Sequence, residues 1–175
     1  MKLILFNIMS LFMTTHIPLE FLGKHINELP NVNTIYEGGI CIVNRSDEYL
    51  GKPYENLYIL TNNERIVQSF SIYIDEIINQ SFYDRMVKEY GKPDFMYKKI
   101  ETGFIKSEIV KNGLFETVPT KAFKMVDCEF NESPLVFTWY KEQYDIQVII
   151  GDRNDTFTKT RIIFGDVPIK KEMNK

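Results

Sequence analysis

Leu135-Val136-Phe137-Thr138-Trp139-Tyr140-Lys141, and after Glu142-Gln143 the run Tyr144-Asp145-Ile146-Gln147-Val148-Ile149-Ile150, form the stretch that decides the fold. Both runs are rich in β-branched and aromatic residues, which fit a pleated surface. The polar pair between them is too short for a crossover, so the two runs are antiparallel neighbours. A third run of the same character, residues 158–164, follows the polar segment 151–157 and completes an antiparallel meander.

Working outward, residues 56–60, the turn-prone Thr61-Asn62-Asn63-Glu64 and residues 65–75 read as a hairpin, because asparagine tolerates the positive φ of tight turns. In its second arm Ile66, Gln68, Phe70, Ile72 and Ile74 form a mostly apolar set and the alternate residues a mixed one, which predicts one buried face. Tyr83, Met86, Val87 and Tyr90 repeat at helical spacing, so residues 82–90 are expected to form a helix. Ser81 and Asp84 suit its start, Gly91 its end, and Pro93 prevents continuation. A weaker helix is expected over residues 19–29. Strands are expected near residues 96–104 and 122–130, with a turn at Lys111-Asn112-Gly113 and a loop at Pro119.

The chain has 175 residues with 24 acidic and 21 basic side chains, 44% hydrophobic residues and a net charge of −3. Such a composition supports a folded core and excludes a fully disordered chain. No apolar run is long enough to span a bilayer as a helix, so no transmembrane anchor is expected. The mild acidity and the lack of a long basic block argue against nucleic acid as the partner. One alanine stands against 13 Phe and 10 Tyr, a balance that favours strands over helices.

Met1-Lys2 precedes a largely apolar stretch, residues 3–13, and then polar Thr14-Thr15-His16. That order is the shape of a secretory signal peptide, although Asn7 interrupts it and no small-residue cleavage site follows. Export to the periplasm or the medium is therefore expected, with a cytoplasmic chain whose N-terminus joins the core as the alternative. Cys41 and Cys128 are the only cysteines. Outside the cytosol they are candidates for one disulfide; otherwise they are buried thiols.

Chemistry is sparse. The only histidines are His16 and His25, and no nucleophile motif surrounds either cysteine. Gly151-Asp152-Arg153-Asn154-Asp155 lacks the glycine and glutamate a calcium loop needs at its later positions. Glu37-Gly38-Gly39 lacks the lysine and hydroxyl residue of a phosphate loop. No catalytic residue, metal site or cofactor is therefore assigned. The remaining signal is aromatic: Trp139, Phe137, Tyr140 and Tyr73 sit on strands, where exposed aromatics make good protein-binding anchors.

These elements describe an α+β protein, mainly antiparallel sheet with few short helices. A helix, extended segments and a closing hairpin occur in that order twice, giving two related α+β units at residues 17–75 and 76–167, packed as one domain. Residues 1–16 precede them as the signal-like segment and residues 168–175 follow as a polar tail. With Phe82…Tyr90-Gly91-Lys92-Pro93, Phe137-Thr138-Trp139-Tyr140 and the last hairpin, this outline resembles the β-lactamase-inhibitor-like and outer-membrane-assembly-lipoprotein folds among small exported bacterial proteins. The resemblance implies a binding role. The chain lacks the lipidated cysteine that follows the signal in the lipoproteins.

The expectation is a non-enzymatic protein-interaction module, an exported inhibitor or an envelope assembly or binding protein, whose partner is another protein. Two alternatives accompany it: a cytosolic immunity- or antitoxin-like protein, and a carrier of an apolar small molecule.

Overall fold

The computed structural model describes residues 17–30, 32, 34–35, 39–111, 114–151 and 159–165. The signal-like segment, the calcium-like segment 152–155, the turn residues Asn112 and Gly113, and the tail lie outside the described residues. The elements are β1 (Thr34–Ile35), β2 (Ile40–Tyr49), β3 (Lys52–Thr61), β4 (Val67–Ile74), α1 (Gln80–Tyr90), β5 (Phe95–Lys111), β6 (Leu114–Asp127), β7 (Val136–Tyr140), β8 (Asp145–Ile150) and β9 (Thr160–Gly165), with three single 3-10 turns. All strands belong to one sheet of order β1-β2-β3-β4-β9-β8-β7-β5-β6. Every neighbouring pair is antiparallel.

Register explains where the core sits. Val43 pairs with Leu57, Leu57 with Ile72, Ile72 with Ile162, Ile162 with Val148, Val148 with Phe137, and Phe137 with Met96. Cross-strand partners share a face, so this row runs across seven strands on one side, and all its members are buried. Helix α1 covers that face with Phe82 and Met86. Tyr83 meets the edge of Phe137 at 5.7 Å between ring centroids, and Tyr49 approaches Phe82 at 6.2 Å.

The α+β expectation with two related units is corrected by this sheet. Among the described residues α1 is the one α-helix, and it lies in the second half. Residues 19–29 form two separate 3-10 turns, Leu19–Phe21 and Ile26–Glu28. Gly23 at φ 77° breaks the continuity. The backbone between the turns bonds to β4 instead: Gly23 N–H donates to Val67 O and Val67 N–H to Lys24 O, each at 2.9 Å. Long-range ladder bonds thus displace the local helix that propensity favoured.

Smaller differences have local causes. Helix α1 begins earlier than residue 82, because Asn79 caps it by accepting from Phe82 N–H at 3.0 Å. In the β3–β4 turn Asn62 Oδ1 accepts from both Glu64 N–H and Ile66 N–H, at 3.0 and 2.9 Å, a role an asparagine side chain plays readily. On β4 the polar set is covered as well, since Ser69 and Ser71 are buried. Pro119 is not in a loop but within β6, opposite Lys106. Strand β6 is the sheet's edge, where a residue without an N–H is tolerated.

Candidate interaction surface

Strands β5 and β6 pair from Tyr97–Asp127 to Lys111–Leu114. Only Phe95, Met96 and Tyr97 of β5 also pair with β7. Beyond them the hairpin leaves the sheet as a two-stranded arm, with no third strand on either edge among the described residues. At the usual strand rise its β5 side reaches about 40 Å. The base of the arm is fixed. Lys98 forms an ion pair with Glu132, whose carboxyl is held below its usual range by that contact and by Glu129 N–H. Cys128 N–H donates to Met96 O at 3.1 Å.

The arm carries most of the exposed large apolar side chains of the described residues: Ile100, Phe104, Ile105, Phe123 and Met125. Phe104 is 66% exposed and Ile105 55%. Register sorts them by face. A bulge between Glu101 and Gly103 resets the alternation, so that Phe104 opposite Lys121 lies on the face that carries Phe123 and Met125. Ile100 and Ile105 lie on the other face. Charges are interleaved: Lys121 pairs with Glu101 at 2.9 Å, and the Lys99 ammonium sits 3.8 Å above the Phe123 ring. Among the described residues Lys106 and Lys124 have no carboxylate partner.

The aromatic residues singled out from sequence are placed differently. Trp139 and Phe137 are 0% exposed, pack edge to face at 5.4 Å and belong to the core. Alternation puts them on one face as expected, but that face lies under α1. Tyr140 is half-buried against Phe95, and Tyr73 is half-buried against Tyr58 at 5.0 Å. Of the four, none is fully exposed. None of the arm's apolar residues was singled out from sequence, although the strands expected near residues 96–104 and 122–130 contain Ile100, Phe104, Phe123 and Met125, because alternation alone does not separate an exposed strand face from a covered one. The signal was present: the Lys-Asn-Gly turn is flanked on both sides by residues of strand character, which extends the hairpin to the turn.

Cys41 and Cys128 are both free thiols, the first buried in β2 and the second half-buried after β6. Burial pushes both thiols above their ordinary value. His25 caps the second 3-10 turn, its Nδ1 accepting from Asn27 N–H at 3.2 Å, and so has a structural task. No group of three or more potential metal ligands occurs among the described residues.

Clefts flank the sheet. One of about 660 Å³ lies where β3 and β4 diverge, since their ladder begins only at Leu57–Ile72; Tyr54, Glu55, Tyr58, Tyr73, Asp75 and Lys159 line it. Another of about 650 Å³ lies beside the arm's base, between the start of α1 and Phe130–Leu135. Among the described residues no helix is long and apolar enough to cross a membrane. Compared with known proteins, the chain matches no protein-family profile, no curated sequence and no solved structure.

Proposed function

We propose that the protein is a non-enzymatic protein-interaction module that engages another protein through the β5–β6 arm. One observation carries this reading: a two-stranded hairpin, without a third strand among the described residues, presents five large apolar side chains to solvent. A lone hairpin is marginally stable in water, and covering a side chain such as Phe104 or Phe123 contributes about 1.5–3 kcal/mol. Burial against a partner therefore supplies what the arm lacks in isolation. Edge strand β6 is guarded by Pro119, Lys121 and Lys124, devices that discourage indiscriminate strand pairing. The partner is engaged mainly by side chains on the arm's faces.

An inhibitor or envelope assembly protein acting after export fits this mode, and the apolar N-terminal stretch supports that address. The test is a cross-linked pulldown from the native source with the wild type and with Phe104→Ser/Phe123→Ser. Recovery of a protein by the wild type and its loss in the variant supports the reading. Equal recovery by both, or none by either, contradicts it.

A further inference from the structure

The arm has two edges, and the register fixes which peptide groups lie on the β5 one. Met96 O accepts from Cys128 N–H on the β6 side at 3.1 Å, and Tyr97 O accepts from Leu135 N–H on the β7 side at 2.8 Å. Alternation then turns the N–H and C=O groups of Lys99 and Glu101 toward the β7 side. Thr102 is the extra residue of the bulge. Beyond it Lys106 stands opposite Pro119, which has no N–H to give. That pair is therefore not hydrogen-bonded, so the peptide groups of Lys106, and of Phe104 two residues earlier, also point away from β6. Among the described residues no strand pairs with these four positions on that side.

The line of β7 stops where this edge begins. Traced back from Leu135, Pro134 has no N–H and Ser133 is left-handed at φ 62°, and the chain leads off into the 3-10 turn Phe130–Glu132. The space left beside β5 is the cleft of about 650 Å³ at the arm's base. Lys98 and Lys99 form its wall on the arm, Pro134 and Leu135 stand across from them, and Ile77 and Phe130 add apolar surface. The β5 edge is also less guarded than that of β6. It contains no proline. Its charged side chains lean across the arm instead: Lys99 lies over the Phe123 ring and Glu101 pairs with Lys121, both partners being on β6.

We infer that the β5 edge takes an extended segment of the partner protein as an added antiparallel strand, in the line that β7 vacates, with an apolar side chain near the segment's C-terminal end seated in the cleft at the arm's base. The chemistry of the edge names the occupant: a row of free N–H and C=O groups is matched by another extended backbone. The direction follows the rest of the sheet, in which every neighbouring pair is antiparallel. A strand antiparallel to β5 runs from the tip of the arm to its base, which brings its C-terminal end to the cleft. This inference rests on the reading of the arm as the interaction element and deepens it. Side chains on the arm's faces supply contact area, and the edge supplies register.

The probe is a phage-displayed library of random peptides about ten residues long, enough to span the edge at the usual strand rise, selected on the full wild-type chain. Selected peptides are expected to carry an apolar residue near their C-terminal end and to slow hydrogen exchange at the Lys99, Glu101, Phe104 and Lys106 amides. They should bind Lys106→Ala as well as the wild type. Lys106→Pro removes one outward N–H and no ladder bond to β6, and Asn131→Trp fills the cleft. Each is expected to weaken the peptides about tenfold or more, with an unchanged circular dichroism spectrum. No selected peptide, binding that either variant leaves unchanged, an equal loss in Lys106→Ala, or amides left unprotected overturns the inference. So does a wild type that self-associates with the four amides already protected, because the edge then belongs to a second copy. Partner capture that is lost in Phe104→Ser/Phe123→Ser but kept in Lys106→Pro overturns it and leaves the interaction reading standing. Capture kept in both variants removes both.

Discussion

The indole N–H of Trp139 donates to the backbone carbonyl of Gly91 across 2.8 Å. Gly91 ends α1 at φ 81°, its own N–H donating to Val87 O at 2.9 Å. One side chain on β7 therefore ties the end of the helix to the sheet. The ring itself lies against Phe137 and 6.1 Å from Tyr90. Replacing Trp139 by Ala is expected to destabilise the fold by about 3–5 kcal/mol, and by Phe by about 1–3 kcal/mol through lost volume and the lost bond. Chemical denaturation measures both. As the chain's single tryptophan, Trp139 should also show blue-shifted emission that soluble quenchers barely reduce; ready quenching contradicts its burial.

Gly165 ends β9 at φ 123°, opposite Ser69. A Cβ there would meet the Gln68 carbonyl and come within 2.8 Å of Ser69 Cα. Both contacts are backbone, so neither can swing aside. Gly165→Ala is expected to cost about 2 kcal/mol or more, read as a lower unfolding midpoint. An unchanged midpoint contradicts the close approach of β9 to β4.

Phe104 and Phe123 are exposed and lie outside the core, so their substitution separates the proposed binding from stability. Phe104→Ser/Phe123→Ser is expected to change stability by only about 0.5 kcal/mol per site, while partner capture falls strongly. Phe137→Ala, by contrast, should lower stability by about 3–5 kcal/mol. Equal stability losses in the arm and the core contradict the exposure of the arm.

Tyr49 donates its hydroxyl proton to the Tyr90 hydroxyl at 2.9 Å. Burial raises both phenols above their ordinary value near 10, and nearby Glu89 adds to the rise. An acid whose folded pKa is raised keeps its full contribution to stability below the unfolded pKa and loses it as pH climbs above that value. Thermal stability is therefore expected to be insensitive to these two groups up to about pH 10 and to fall beyond it. Tyrosinate absorbance should show phenols that ionise only together with unfolding. Complete titration of all tyrosines near pH 10 in the native state contradicts the buried pair.

Both cysteines are free and their thiols are raised by burial. A thiol reagent is expected to react slowly with the native protein near neutral pH and to find two thiols after unfolding. Recovery of no free thiol after unfolding without reductant shows a disulfide and contradicts this arrangement.

The meander was legible because β7, β8 and β9 are short runs of β-branched and aromatic residues joined in sequence order, so local pattern and pairing agree. The β3–β4 hairpin was legible for the same reason, with Asn62 as its turn. Joining β4 to β9 was not, because that pairing depends on register between segments about ninety residues apart. The helix expected at residues 19–29 failed because Gly23, Lys24 and Val67 form ladder bonds that no local pattern records. Trp139 and Phe137 illustrate the central ambiguity: alternation shows which aromatics share a face, not which face is covered. The arm was missed for the converse reason. Pro119 suggested a loop, and only the full β5–β6 register shows that it lies on a projecting hairpin.

The most direct measurement places a photo-cross-linking phenylalanine analogue at Phe104 in the full chain, with a second chain labelled at Trp139 as a buried control. After irradiation in the native host, the adducts are resolved by mass. The expected result is a discrete protein adduct from position 104 and none from position 139. No adduct from position 104, or equal labelling from both positions, contradicts the arm as the docking element.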